Sequence, residues 1–502
     1  SSFVQNKSQY QWFLCKSLYQ VVMALRENLK TVIIGCGISG IAAAQRLIKA
    51  GFQHVRILEA TERAGGRIKT GEMEIGASYL HGPSEENPVF CLARDYDLLD
   101  PEALTPENQS LKNTNQHPGK MLDISCAQRY IFFTSTTSIY FLFILIHEVR
   151  DKFVTGQSVF LKVRVLFCLQ ARRRAEKVWK NEDKATRKLL FCALSALLKF
   201  ECCGSAVHTM DDLDLNGFST YESIPGVDCM FPSGFEGLIT SLMSELPTGL
   251  VSYNHPVQCV RWNNTEAGDH PVTVECANGE KIPADHVIVT VPLGYLKKHL
   301  STLFSPPLPK QKLRSIEKLG FGTCNKIYVE FEKPWWDADC DIIYLVWEDE
   351  ISDHVSDISK FWTRKIPSFT VIKPPESGSH VLCGWISGHE AEHMETLPEE
   401  EVRRSMTELI HTFTGDSTIT PKRIQFSRWF HDPWTYGSYS HPALGCSAQD
   451  IKNLMEPLPD KGEQLLQVLF AGEATHPCYF STVHGALLSG WREADRLISH
   501  QF

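Results

Sequence analysis

Apolar positions along this chain fall into short runs separated by glycine, proline and charge. The first clear run, Thr31-Val32-Ile33-Ile34, is β-branched and unbroken, as a strand buried on both faces requires. Gly35-Cys36-Gly37-Ile38-Ser39-Gly40 follows directly, then a helix-like stretch from Ile41 to Ala50. A second strand-like run, Val55-Arg56-Ile57-Leu58, ends on Glu59. From Trp179 to Lys199 charges come first and apolar residues at helical spacing afterwards, with Phe200-Glu201-Cys202-Cys203 beyond the predicted helix. Val272 to Cys276 and Lys281 to Val291 read as strands around the turn Asn278-Gly279. Pro306-Pro307-Leu308-Pro309 marks a crossing between domains, and Lys326 to Phe331 reads as an alternating strand stopped before Pro334-Trp335-Trp336. Leu469-Phe470-Ala471-Gly472-Glu473-Ala474-Thr475 supplies a late strand and glycine turn, and the pattern after Thr482 (His484 to Trp491) predicts a closing helix. The whole reads as mixed α/β.

Two stretches do not fit that pattern. Residues 1–22 lack an amphipathic period and are expected to lie outside the fold, with the first folded segment opening near residue 28. Tyr130 to Ile146 is the most apolar window, but Thr134 to Ser138 interrupts it, and a membrane span needs about 20 predominantly apolar residues. No stable membrane insertion is expected.

Composition changes this picture little. The 502 residues allow two or more domains, and 43% hydrophobic with 22% charged residues is ordinary for a globular enzyme. A net charge of −9 disfavours nucleic acid as a partner and suits a cationic ligand. The 16 cysteines show neither a dense disulfide spacing nor paired C-x-x-C clusters, so neither a secreted scaffold nor a metal site is expected.

The chemistry begins at the glycine loop. Gly35 permits a tight turn, Gly37 lets backbone approach a pyrophosphate, and Gly40 lets helix and strand pack closely. The helix start then turns its unpaired N–H groups toward the phosphates. Glu59, 19 residues past Gly40, is placed to accept hydrogen bonds from both ribose hydroxyls and disfavours a 2′-phosphate. The distant Gly472-Glu473 return points to FAD rather than a nicotinamide.

Together the glycine loop, Leu58-Glu59-Ala60, Arg63 to Arg67, Gly76-Ala77, Leu80 to Ser84, Phe200 to Cys203, Leu319 to Lys326, Leu345 to Asp349, Leu469 to Thr475 and Phe480 to Leu497 resemble the flavin amine oxidase family. The likeness covers about residues 28–98 and 175–500, and is nearest the branch acting on N1-acetylated polyamines, with the branch acting on free spermine next. It implies a Rossmann-type (GR2-like) FAD domain assembled from residues 28–92, 232–296 and 436–502. An α+β substrate domain takes residues 93–231, with an irregular insert at about 100–175, and 297–435; residues 1–27 form an extension. The implied FAD contacts are Gly35, Gly37, Ser39, Gly40, Glu59, Arg67, Gly76, Val257, Gly472, Glu473, Thr482 and Val483.

The resemblance also implies hydride loss from a neutral amine to noncovalently held FAD, with O2 reduced to H2O2. Lys326 holds a water beside the flavin, and His81 sits at the catalytic end of the tunnel. Glu201 pairs with a substrate ammonium, while Tyr439 and Ser481 lie near the flavin and the acetamide. Departures from the family are Ser78-Tyr79 where His-Trp is usual, Gly204 where valine is usual and Cys324 where asparagine is usual. Ser438 stands where monoamine oxidases carry the cysteine that bonds flavin, so no covalent link is expected. A monomer is expected, either peroxisomal by resemblance or cytoplasmic, since Ser499-His500-Gln501-Phe502 is not a Ser-Lys-Leu-type tripeptide. A spermine oxidase and a weakly active FAD-binding protein are the alternatives.

Overall fold

The computed structural model describes residues 26–110, 180, 183–263, 270–347, 349, 357–373, 379–459 and 466–500. Residues 1–22 and Tyr130 to Ile146 lie outside the described residues.

The unbroken apolar run at residue 31 becomes the centre of a five-stranded parallel sheet. Its strands, in spatial order, are Val468–Phe470, His286–Val289, Lys30–Ile34, His54–Leu58 and Val251–Ser252. Lys30–Ile34 is flanked on both sides, with Ile33 opposite Ile57 on one neighbour and Ile288 on the other. That explains its lack of alternation, because both faces are covered. Ile33, Ile57, Val287, Ile288, Val468 and Leu469 are fully buried. Three stretches far apart in sequence therefore build one sheet.

The first helix is Ile38–Lys49, beginning three residues earlier than the sequence pattern predicts and taking Ser39 and Gly40 into its first turn. A Cβ on Gly40 would stand 2.1 Å from Gly35 O and 3.2 Å from Ile33 Cγ2, so only glycine lets this helix lie on its strand. The closing helix, Val483–His500, runs well beyond the predicted Trp491. It crosses the first helix where a Cβ on Gly490 would meet Ser39 O at 2.1 Å. Arg26, expected outside the fold, is 7% exposed and donates to Ala50 O at 3.2 Å and Ile498 O at 3.0 Å. The folded segment thus starts earlier than residue 28, because the Arg26 guanidinium bridges the ends of both helices.

A second five-stranded sheet is antiparallel where its pairing is recorded. Its order is Ile342–Tyr344, Ser368–Ile372, His380–Ser387, Cys324–Phe331, Arg423–Phe426. Cys324–Phe331 is paired on both sides, and seven of its eight residues are buried, so the alternating appearance of residues 326–331 does not mark a solvent face. Lys281 to Val291 is split at Asp285, whose backbone N–H donates to Lys30 O, into Lys281–Ala284 in a four-stranded sheet and His286–Val289 in the parallel one. The predicted helix at 179–199 runs instead over Lys184–Ser205, carrying Phe200 to Cys203 within its last turns.

Candidate active site

A cavity of about 560 Å³ opens between the C-terminal ends of the parallel strands and the antiparallel sheet. This is where an open α/β sheet offers helix starts and loops to a ligand. Gly35, Gly37, Ser39, Glu59, Arg67, Gly76, Val257, Gly472, Glu473, Thr482 and Val483 all border it, as do His81, Glu201, Lys326, Tyr439 and Ser481. Gly40 does not, since its task is the helix–strand contact.

The cofactor end fits a dinucleotide in detail. Gly35 has φ +106°, and around the Gly37 Cβ position nothing lies within 4 Å, which leaves room for phosphate against bare backbone. Gly65 N donates to Cys36 O at 2.8 Å, and Gly66 packs its Cβ position 3.4 Å from Gly37 Cα, so the second glycine turn braces the first. Glu59 is 7% exposed; its Oε2 accepts from Cys36 N at 2.8 Å and its Oε1 from Thr61 N at 2.9 Å. Thr61 Oγ1 also donates to Oε1, at 2.8 Å, so these bonds fix the carboxylate at the strand end and leave Oε2 with a lone pair for a ribose hydroxyl. The start of the closing helix brings Ser481, Thr482 and Val483 to the opposite wall, with its positive dipole end toward the cavity.

Glu473 is occupied by the protein itself. Arg67 Nη1 donates to its Oε1 at 2.8 Å, Ser440 Oγ to its Oε2 at 2.5 Å, and Ser481 N to its Oε2 at 2.8 Å. Arg67 also donates to Ser438 O at 2.9 Å. This clasp ties the turn at residue 67 to two segments some four hundred residues later. Ser39 Oγ meets Ser489 Oγ at 3.2 Å, and Gly472 N donates to Ser489 Oγ at 2.8 Å.

At the other end of the cavity Lys326 is 3% exposed rather than solvent-facing. Its Nζ donates to Glu74 O at 2.7 Å, Gly76 O at 2.5 Å and Ser78 Oγ, and lies 5.0 Å from the Trp385 ring centroid. Burial pulls its pKa down to about 8, only partly offset by Cys383 and Glu74. Ser78 replaces a family histidine, and a small hydroxyl there is what reaches the ammonium.

His81 Nδ1 lies 2.6 Å from Asp228 Oδ2, and Gly82 N donates to Asp228 Oδ1 at 3.0 Å. Burial of the ring works against protonation, but the Asp228 charge and hydrogen bond outweigh it and hold the histidine above its ordinary value. Close by, the His484 ring is pushed down to about 3 by burial and by the neighbouring His81 and His476. His81 is therefore the protonatable histidine of this wall. Glu201 is half-buried where it borders the cavity. Tyr439 Oη donates to Cys203 O at 2.5 Å, so its hydroxyl is committed and its ring is what the cavity meets. Ser481, at φ +67°, donates its hydroxyl to Ser440 O, leaving only acceptor capacity.

Asp228 and Trp385 are the residues sequence reasoning missed. Asp228 follows the unremarkable Pro225-Gly226-Val227, and Trp385 reaches Lys326 only as its cross-strand partner. Neither carries a local signal.

The sequence profile described as flavin containing amine oxidoreductase matches residues 38–498. The chain belongs to that family. As a member it is an FAD-dependent amine oxidase, and the cavity residues fit the cofactor. The chain is 43% identical over 491 residues to a bovine (Bos taurus) peroxisomal N(1)-acetyl-spermine/spermidine oxidase, covering 94% of each. It is equally similar, over 488 residues, to the human (Homo sapiens) protein of that name, covering 94% of this chain and 95% of the relative. A rice (Oryza sativa subsp. japonica) polyamine oxidase 1 is 31% identical, covering 94% and 97%. Among solved structures, a redesigned double mutant of putrescine oxidase shares the fold, with a TM-score of 0.61, 19% identity, and coverage of 94% of this chain and 99% of that one.

Flavin amine oxidases either tether FAD through a cysteine or leave it free, and Ser438 bears on this choice. Its Oγ accepts from Cys324 N at 2.9 Å and donates to Cys324 O at 2.7 Å, so it is a backbone clamp with no thiol to offer. Denaturation of the purified protein is expected to release all yellow colour into the filtrate; flavin retained on the polypeptide would contradict this.

Proposed function

We propose that the chain oxidises N1-acetylspermine and N1-acetylspermidine at a secondary amine. The substrate carbon loses a hydride, the resulting imine is hydrolysed, and 3-acetamidopropanal leaves with spermidine or putrescine. Bound FAD supplies the hydride acceptor and passes the electrons to O2, giving H2O2.

The observation that carries the reading is a single cavity lined by a buried lysine and by the carboxylates Glu201 and Asp228. Lys326 sits with its pKa near neutrality, within reach of a backbone-and-hydroxyl cradle rather than of solvent. A group so tuned exchanges a proton close to working pH and holds the hydrolytic water. Glu201 makes the wall acidic toward a polyammonium, while the His81–Asp228 pair, 2.6 Å apart, is able to orient an amine. Ser481, an acceptor only, suits the N–H of an acetamide. The names of the bovine and human relatives support both the acetylated substrate and a peroxisomal address.

Purified protein mixed anaerobically with N1-acetylspermine is expected to lose its oxidised-flavin absorbance. Failure to bleach with any polyamine would sink the proposal, and faster bleaching by free spermine would reassign the substrate.

A further inference from the structure

The described chain holds 13 free cysteines, and only Cys203 and Cys324 border the cavity. Cys203 comes near the end of the helix Lys184–Ser205, and Cys324 opens the strand Cys324–Phe331. With Ala206 they form a small buried cluster of their own, against which Trp385 and Tyr439 pack. They are 4% and 5% exposed.

Both backbones are pinned. Cys203 O accepts from Tyr439 Oη at 2.5 Å and from Ala206 N at 3.2 Å. Cys324 N and O are both clamped by Ser438 Oγ, and Ser387 Oγ on the neighbouring strand ties back to Val207 O at 3.1 Å. Two fixed frames thus present two thiols to each other at the cavity wall. The hydrogen bond to the Cys324 sulfur, together with burial, holds the Cys203 thiol well above the ordinary thiol range. The relation exists here because position 324 carries cysteine rather than the asparagine usual in the family.

We propose that Cys203 and Cys324 are an oxidisable dithiol in the wall of the catalytic cavity, closed to a disulfide by peroxide. The Cys324 sulfur attacks one peroxide oxygen and the O–O bond breaks; the sulfur becomes a sulfenic acid, and the departing hydroxide takes up the thiol proton as water. The Cys203 sulfur then displaces the sulfenic oxygen as a second water and forms the S–S bond. Two thiols are oxidised and one H2O2 is reduced to two H2O. The proposal rests on the proposed activity only for the source of that peroxide, which arises in the same cavity. Bridging joins helix end to strand beside Tyr439 and Trp385.

The test uses the holoenzyme treated with added H2O2, without polyamine, then alkylated under denaturing conditions and mapped by mass spectrometry. The expected result is joint loss of alkylation at Cys203 and Cys324, a linked Cys203–Cys324 peptide, and recovery of both sites with dithiothreitol. Cys324→Ser and Cys324→Ala should each lack the linked peptide. Full alkylation of both sites after peroxide, or irreversible oxidation without a linked peptide, would overturn the proposal. A second arm replaces added peroxide by N1-acetylspermine in air, with and without catalase. A bridge formed by added peroxide alone supports the dithiol while counting against the substrate reading, so the two failures are separable.

Discussion

Lys326→Met is expected to retain its flavin and to reduce it about 10²-fold or more slowly with N1-acetylspermine, the range by which a positioned acid or base contributes. The cofactor contacts proposed at Gly37, Glu59 and the closing helix do not involve Lys326, so flavin content is expected to be preserved. The rate falls because methionine cannot exchange a proton at that point of the wall. The sign of the pH dependence follows from its lowered pKa of about 8. Below that value Lys326 is an ammonium spending three N–H bonds on Glu74 O, Gly76 O and Ser78 Oγ. Above it the amine has a free lone pair and accepts a proton. The wild-type rate of reduction is expected to rise as pH passes about 8, a step that stopped-flow traces of the methionine variant would lack. Unchanged kinetics in that variant would remove Lys326 from the mechanism.

The second large effect separates two glycines of one loop. Gly40→Ala places a methyl 2.1 Å from Gly35 O, against backbone that cannot turn away, and is expected to cost about 1–3 kcal/mol of stability. Gly37→Ala meets nothing within 4 Å and has φ −76°, so the protein without flavin should keep its stability within about 0.5 kcal/mol. The same methyl would fill the open space proposed for the pyrophosphate, so flavin content should fall sharply. Thermal melts with and without added FAD, read beside the flavin-to-protein absorbance ratio, distinguish the two. A stable, fully flavinated Gly37→Ala would show that the phosphates lie elsewhere.

What was legible in the sequence was the part whose physics is local. The glycine loop, the strand before it and Glu59 are read within thirty residues because turn geometry, helix polarity and hydrogen-bond reach operate at that range. The helix start was misplaced because Ser39 and Gly40 are weak helix formers, and packing on Ile33 and against Gly490 overrides that weakness. Lys326 could be singled out only by resemblance. Lysine is mostly exposed, and nothing in its own strand shows that it is covered by the turn at residues 74–78.

The sequence by itself determined the cofactor end: a strand, a glycine turn, an acid at the next strand's end, and a distant Gly-Glu return. The tertiary structure alone decided the rest, because it depends on contacts between segments hundreds of residues apart. It made Glu473 a clasp for Arg67, Ser440 and Ser481, gave His81 its Asp228 partner, stripped Lys326 of water, and set Cys203 against Cys324. Desolvation and ion pairing are properties of what surrounds a side chain, and a residue's neighbours along the chain do not specify them.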